Sequence, residues 1–258
     1  MKVVILAGGF GTRIASESQT HPKPMVEVGG KPFLWHILKL YSFYNFREFL
    51  VLCGYKKEVI LDYFIQCGVG ISTQNIRQFN TTIECHESTD EKWKVTLIDS
   101  GLYTNTGGRI RQVQPYLNQE KNFLLTYADC IGDINIQNTI TFHEKHNGMV
   151  TMTATNPPSR YGIATIDKNL KISHFAEKPK NDGNWINGGF FVVREDIFSL
   201  LDNEESSWEN NVLPQLAADG QLYAYKHDGF WRPMDTLRER NELNEMWINK
   251  SAPWKTWN

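Results

Sequence analysis

Residues 1–13 read MKVVILAGGFGTR, and the break after Ala7 decides the architecture. Val3 to Ala7 is apolar at every position and stops at Gly8. A strand buried on both faces carries such a run, and strands of that kind belong to parallel sheets covered by helices. Gly8, Gly9 and Gly11 follow directly, with Thr12 and Arg13 behind them. An ordinary tight turn needs one glycine. Several at a strand end let the backbone approach a ligand closely and aim N–H groups at it. Arg13 adds a fork-shaped cation suited to phosphate. Two phosphate motifs nevertheless fail here. A dinucleotide fingerprint needs Gly where Ile14 stands, and no acid closes the second strand at Cys53-Gly54-Tyr55. A P-loop would need Gly at Met25, and Gly30-Lys31 runs into Pro32.

Outward from this turn the periodicity alternates. Residues 32–44, PFLWHILKLYSFY, have helical length and open on Pro32 in first-turn position. Phe49 to Cys53 is a second buried strand, and residues 56–66 a second helix. Phe123 to Tyr127 is a strand, followed by a helix predicted to run to Gly148 and a strand over 149–155. This order predicts an α/β fold, a Rossmann-like doubly wound and mostly parallel sheet. Residues 68–100 are rich in Thr, Ile and Val and predict a β-rich insertion or arm. Three strand-like segments lie within 161–193, and a charged helix covers about 236–250. With no repeat, linker or low-complexity tract, residues 1–258 read as a single domain.

Composition bounds the function. Lys and Arg total 27 against 29 Asp and Glu, a net charge of −2, which gives no support for a nucleic-acid binder. Hydrophobic residues at 41% and charged residues at 22% exclude wholesale disorder. Cys53, Cys67, Cys85 and Cys130 form no C-x-x-C pair and read as reduced thiols of a cytoplasmic protein. The opening apolar run is too short for a signal peptide or a membrane span.

Several residues carry candidate chemistry. Pro22 and Pro24 stiffen the backbone around Lys23 and fix where its ammonium points. Asp129 follows the strand 123–127, and ligands of open α/β sheets bind beyond strand carboxyl ends. A carboxylate there suits Mg²⁺. Asp235 precedes the last helix, where Asp commonly serves as an N-cap. His143-Glu144-Lys145-His146 lacks zinc-protease spacing, and its histidines read as a solvated pair. No G-x-S-x-G elbow is present.

The L-A-G-G-x-G-T-R turn followed by Pro22-Lys23-Pro24-Met25 resembles the sugar-phosphate nucleotidylyltransferases. Cys53-Gly54-Tyr55-Lys56, Thr106-Gly107-Gly108-Arg109, Glu177-Lys178-Pro179-Lys180, Ile186-Asn187-Gly188-Gly189 and residues 230–236 are similar to the cytidylyl branch of that family, as is the closing APWKTW. The resemblance implies transfer of a cytidylyl group from CTP to α-D-glucose 1-phosphate, giving CDP-glucose and pyrophosphate, with Mg²⁺ as cofactor. It also implies a homo-oligomer. Leu6, Gly8, Gly9, Gly11, Thr12 and Arg13 would hold the nucleotide, with Gly107, Gly108, Arg109 and Asp129 near it. Arg13 and Lys23 would be catalytic. Asp129 and Asp235 would bind the metal. Tyr127, Glu177, Asn187 and Gly188 would meet the sugar, and Lys178 the sugar phosphate.

One departure stands out. The family pattern Tyr-Gly-Asp-Gly is here Tyr127-Ala128-Asp129-Cys130. Alternation along an extended segment would put Ala128 and Cys130 opposite Asp129, crowding a wall of the site and tuning the substrate. A different sugar phosphate or nucleotide, and a catalytically weak binding protein, are the two alternatives. The chemistry agrees with transfer in one respect. A sugar phosphate has its second pKa near ~6, so it is an anionic nucleophile that needs no general base. Positioning and charge neutralisation remain as the catalytic task.

Overall fold

The protein is described from a computed structural model. It covers residues 1–10, 21–67, 79–86, 92–117, 120–157, 163–177 and 184–257. Eight strands form the central sheet: β1 (Val3–Ala7), β2 (Glu48–Cys53), β3 (Thr81–His86), β4 (Lys92–Asp99), β5 (Asn122–Tyr127), β6 (Val150–Thr155), β7 (Ile186–Arg194) and β8 (Leu222–His227). Their order across the sheet is β8-β6-β7-β5-β1-β2-β4-β3. β1 lies between β5 and β2 and is parallel to both, with Ile5 opposite Val51 and Thr126. β2 with β4 and β6 with β8 are also parallel, whereas β7 is antiparallel to both its neighbours. The described part of 68–100 supplies β3 and β4, an antiparallel pair that extends the same sheet to its edge.

The continuous apolar run of β1 now has its reason. Val3, Ile5 and Ala7 face one hydrophobic core and Val4 the other, as the two-residue period of a strand requires. Helix α1 (Phe33–Phe43) and α2 (Lys57–Cys67) cover the first face together with the C-terminal helix. α3 (Thr106–Arg111) and α5 (Leu213–Ala218) cover the second. α4 (Ile136–His143) packs beside β6, and α6 (Leu237–Ile248) closes the chain. A separate hairpin pairs Ile163–Ile166 with Ile172–Ala176. No helix among the described residues is long and apolar enough to cross a membrane.

Two expectations are corrected by the structure. The helix predicted to reach Gly148 ends at His143. Its two histidines are not a solvated pair, since His143 is only 3% exposed. Both rings meet one hydroxyl: His143 Nδ1 and His146 Nε2 lie 2.9 and 2.8 Å from Thr151 Oγ1. The Gly148 amide donates to His146 Nδ1, so His146 carries its proton on Nε2 and donates to Thr151. Thr151 in turn donates to His143. Turning these side chains inward ends the helix early.

His36, fully buried in α1, is likewise satisfied only when neutral. Its Nε2 donates to the Val28 carbonyl at 2.8 Å, and its Nδ1 accepts from Trp254 Nε1 at 3.4 Å. A second ring proton would face another donor. Burial, with Lys31 adding repulsion, lowers His36 to about 4. Burial and then His146 lower His143 to about 4 as well.

These shifts set a pH dependence. An unfolded histidine titrates near ~6.5, so below that pH the unfolded chain binds more protons than the folded one. Stability is unaffected by these groups above about pH 6.5, falls as pH drops towards about 4, and changes no further below it. At pH 5 the cost is about 2 kcal/mol per histidine. Urea midpoints measured at pH 7.5, 6.5 and 5 check this. We expect a clear fall between the last two and a near-constant value between the first two.

Candidate functional site

The carboxyl ends of β1, β2, β4 and β5 meet where the parallel strands stop, the usual ligand position in such sheets. A cavity of about 420 Å³ opens there, bounded by the Gly8-Gly9 turn, Lys23, the segment Leu102–Thr106, Tyr127, Asp129 and Glu209. Arg109 forms its floor. The guanidinium donates to Ser100 Oγ at 2.6 Å, and to the carbonyls of Gly101 at 2.7 Å, Leu102 at 3.2 Å and Cys53 at 3.4 Å. It therefore ties the ends of β2 and β4 to α3. A Cβ on Gly8 or Gly54 would fall within 2.6 Å of Arg109 Nη1. Those two glycines let the guanidinium pass close to the backbone. Gly9 differs: a Cβ there would meet no described atom within 4 Å, so its open face looks into the cavity.

Lys23 opens a short 3₁₀ turn, Lys23–Met25, entered from the extended residue Pro22. Its ammonium donates to Asp129 Oδ2 at 3.0 Å and to Asp235 Oδ1. Burial alone would lower the Lys23 pKa, but the two carboxylates outweigh it and hold it above the usual lysine value. A small antiparallel pair brings the carboxylates together. Cys130–Gly132 pairs with Trp231–Pro233, and the Met234 amide donates to the Asp129 carbonyl at 2.8 Å. Asp235 is not the helix cap. Thr236 takes that position, in a capping box with Glu239, which leaves the Asp235 side chain to the site.

Two carboxylates converging on one cation suit Mg²⁺, which takes one or two protein carboxylates and completes its shell with water and phosphate oxygens. Among the described residues no group of three or more His, Cys, Asp or Glu is placed to hold a metal, so a dedicated all-protein cage is not offered there.

The other sequence-derived residues fall in distinct places. Leu6 and Tyr127 line the cavity. Gly107 and Gly108 pack against Ser206 and Glu204, where a Cβ would come within 2.7 Å of backbone. Glu177 ends the exposed hairpin. Asn187 and Gly188 begin β7, and Asn187 donates to the Tyr127 hydroxyl at 3.2 Å. Gly11, Thr12, Arg13 and Lys178 lie outside the described residues. Of the departing pair, Ala128 lines the cavity, whereas Cys130 is buried beneath β7 and donates to the Gly188 carbonyl at 3.3 Å.

Glu209 was not singled out from sequence. It lies on a π-helical turn, Trp208–Val212, and accepts from Tyr127 Oη and Thr106 Oγ1, each at 2.6 Å. Burial and the Glu209 carboxylate push the Tyr127 phenol up, so it stays protonated. No short motif flags a lone Glu between Trp208 and Asn210. At the mouth, Phe10 sits 5.5 Å from Tyr55 and 6.0 Å from Tyr103, ring centre to ring centre.

The nucleotidyl transferase family model matches residues 2–243. The chain belongs to that family. It is 46% identical to glucose-1-phosphate cytidylyltransferase of Salmonella typhi over the full length of both. It is 38% identical to a probable glucose-1-phosphate cytidylyltransferase of Bacillus subtilis, again over both full lengths. Its fold is that of HddC from Yersinia pseudotuberculosis, at a TM-score of 0.69 and 22% identity, covering 95% of this chain and 99% of the other. In this nucleotidyl transferase the glycine turn is thus built as much around Arg109 as around any ligand.

Arg109 yields a stability prediction. Arg109→Leu would remove the donor to the buried Ser100 Oγ and to the half-buried carbonyls of Gly101 and Leu102, while the Cys53 carbonyl keeps its bonds from the Ser100 amide and hydroxyl. Leaving a buried acceptor unsatisfied costs roughly 1–3 kcal/mol, so we expect a loss of about that size by urea denaturation. A loss under about 1 kcal/mol would show that water replaces the guanidinium.

Proposed function

We propose that the chain transfers a cytidylyl group from CTP to α-D-glucose 1-phosphate, releasing CDP-glucose and pyrophosphate. The relatives support the choice of substrates. The observation that carries the chemistry is Lys23 held between Asp129 and Asp235 at the rim of the glycine turn.

The reaction is a displacement at phosphorus. An oxygen of the sugar phosphate attacks the α-phosphorus of CTP, and the bond to the bridging oxygen of pyrophosphate breaks. The attacking dianion needs no base, and the pyrophosphate leaves as an anion that needs no proton from an enzyme acid. Repulsion is the obstacle. Lys23 meets it from a stiff, proline-flanked backbone that holds the ammonium in place before substrate arrives. Arg13 and Lys178 are the further cations assigned to the phosphates. One ammonium against two carboxylates leaves a net negative charge at the rim, and the substrates add more. Asp129 and Asp235 would hold Mg²⁺, which supplies the missing positive charge when bound. Gly9 keeps the turn open to the nucleotide. Tyr127 and Asn187 face the sugar, with Glu177 and Gly188 beside it. Ala128 narrows the cavity wall, whereas Cys130 acts from behind by supporting Gly188.

Free cysteines and a nucleoside triphosphate substrate support a cytoplasmic protein. β3 pairs only with β4 among the described residues, and a second copy of the chain covering that edge makes a homo-oligomer. Light scattering at micromolar concentration tests this, and a monomer removes it.

A panel of nucleoside triphosphates against sugar 1-phosphates, read by pyrophosphate release, tests the assignment. We expect CTP with glucose 1-phosphate to be turned over best, and only with a divalent cation. Full activity in excess chelator would exclude the metal role, and a better pair would replace the substrates. Asp129→Ala should abolish turnover. Lys23→Ala should lower kcat by about a hundredfold, the scale of losing one preorganised donor. A change confined to KM would make Lys23 a substrate-holding group instead.

A further inference from the structure

Glu209 has no part in the displacement, yet it lines the same cavity as Lys23 and Asp129. The π-helical turn that carries it is a rare form, frequent at functional sites. Its Oε1 accepts from Tyr127 Oη at 2.6 Å. Its Oε2 accepts from Thr106 Oγ1 at 2.6 Å and Ser207 Oγ at 3.3 Å. The Trp208 amide donates to Thr106 Oγ1 at 2.9 Å, which leaves the Thr106 proton directed at Glu209.

Directions follow from valence. A carboxylate accepts only, and a phenol has one proton. The Tyr127 proton is therefore committed to Glu209, and towards every other neighbour Tyr127 Oη is an acceptor. It takes an N–H from Asn187 Nδ2 at 3.2 Å. Asn187 is oriented independently, because its Oδ1 accepts from the Gly189 amide at 2.8 Å. Asn187 keeps a second N–H, and Tyr127 Oη keeps a second lone pair.

We propose that Glu209 is a positioning residue for the sugar phosphate: it makes Tyr127 Oη a fixed acceptor, so that one sugar hydroxyl donates to Tyr127 while accepting from Asn187. This rests on the reading above that Tyr127 and Asn187 face the sugar. Glu209 itself touches no reacting atom. It acts by removing a choice, since a free phenol could either donate or accept and would tolerate more than one group at that place.

The test uses glucose 1-phosphates carrying hydrogen or fluorine in place of one hydroxyl at a time. Fluorine accepts weakly and cannot donate. For the wild-type chain, one position should lose about tenfold or more in kcat/KM with either replacement, because the second Tyr127 lone pair then faces a group that cannot donate. Glu209→Gln is nearly isosteric, and its amide can donate to Tyr127 and free the phenol proton. At that same position the fluoro sugar should recover to within about threefold of glucose 1-phosphate. Penalties at the other hydroxyls and the KM for CTP should hold within about twofold. Tyr127→Phe, which keeps the ring, should abolish the position-specific penalty, and adding Glu209→Gln to it should change nothing further. An equal loss on every analogue, a penalty untouched by Glu209→Gln, or no hydroxyl at which hydrogen and fluorine are equally poor overturns the proposal. If the wild-type chain uses a different sugar phosphate, the substrate panel shows it first. The series is then made on that sugar, so failure of the functional reading and failure of this inference are seen separately.

Discussion

One ammonium group joins three distant parts of the chain. Lys23 reaches Asp129, 106 residues away, and Asp235, 212 residues away. Everything that positions these three groups is backbone. Two prolines stiffen the lysine segment, the end of a central strand presents Asp129, and a three-residue antiparallel pair lays Asp235 beside it. Side-chain entropy is thereby removed before any substrate binds, and most of it would otherwise be lost on binding. A carboxylate pair this close would repel without its cation. The lysine thus holds the two carboxylates together, and the site has charge to exchange when phosphates and a divalent ion arrive.

The glycines of the opening turn divide into two kinds. Gly8 is small because Arg109 passes beneath it, and Gly54, just past the end of β2, is small because both Arg109 and the Gly8 backbone approach it. Gly9 faces open space. A glycine-rich strand end thus signals close approach without saying what approaches. Here one partner is the protein's own guanidinium, which fastens the ends of adjacent parallel strands to helix α3. The ligand-facing surface is rigid because of what lies behind it.

Much of this was legible in the residues. The run Val3–Ala7, the helix opening at Pro32 and the strand Phe123–Tyr127 each follow from local pattern, and the observed elements agree within a residue or two. Lys23 and Asp129 were legible from the motifs around them, whereas Asp235 reads locally as a helix cap and joined the candidate site only through the family resemblance. What stayed hidden depends on long-range packing. His143 and His146 look solvated on a helix period, and only the approach of β6 shows that Thr151 draws them inward. Alternation placed Ala128 and Cys130 on one wall, but pairing with Trp231–Pro233 turns Cys130 beneath β7. Glu209 had no signal at all, since an irregular helical turn has no period to read.

A carboxylate beside a site for two phosphates is at first an electrostatic defect. Its field opposes the anions that Lys23 is there to attract. Glu209 is tolerable because its oxygens are occupied by three hydroxyl donors, which spread its charge into neutral groups. Those same bonds turn the repulsion to use. An acceptor-only group repels other acceptors, so under the proposed function the phosphate oxygens would be kept on the Lys23 side and the hydroxyl-bearing face of the sugar on the Tyr127 side. Cation at one end and hydrogen-bonded carboxylate at the other give the cavity a polarity that a sugar phosphate, charged at one end and hydroxylated at the other, satisfies in a single orientation. Orientation is most of what an in-line displacement without a general base requires.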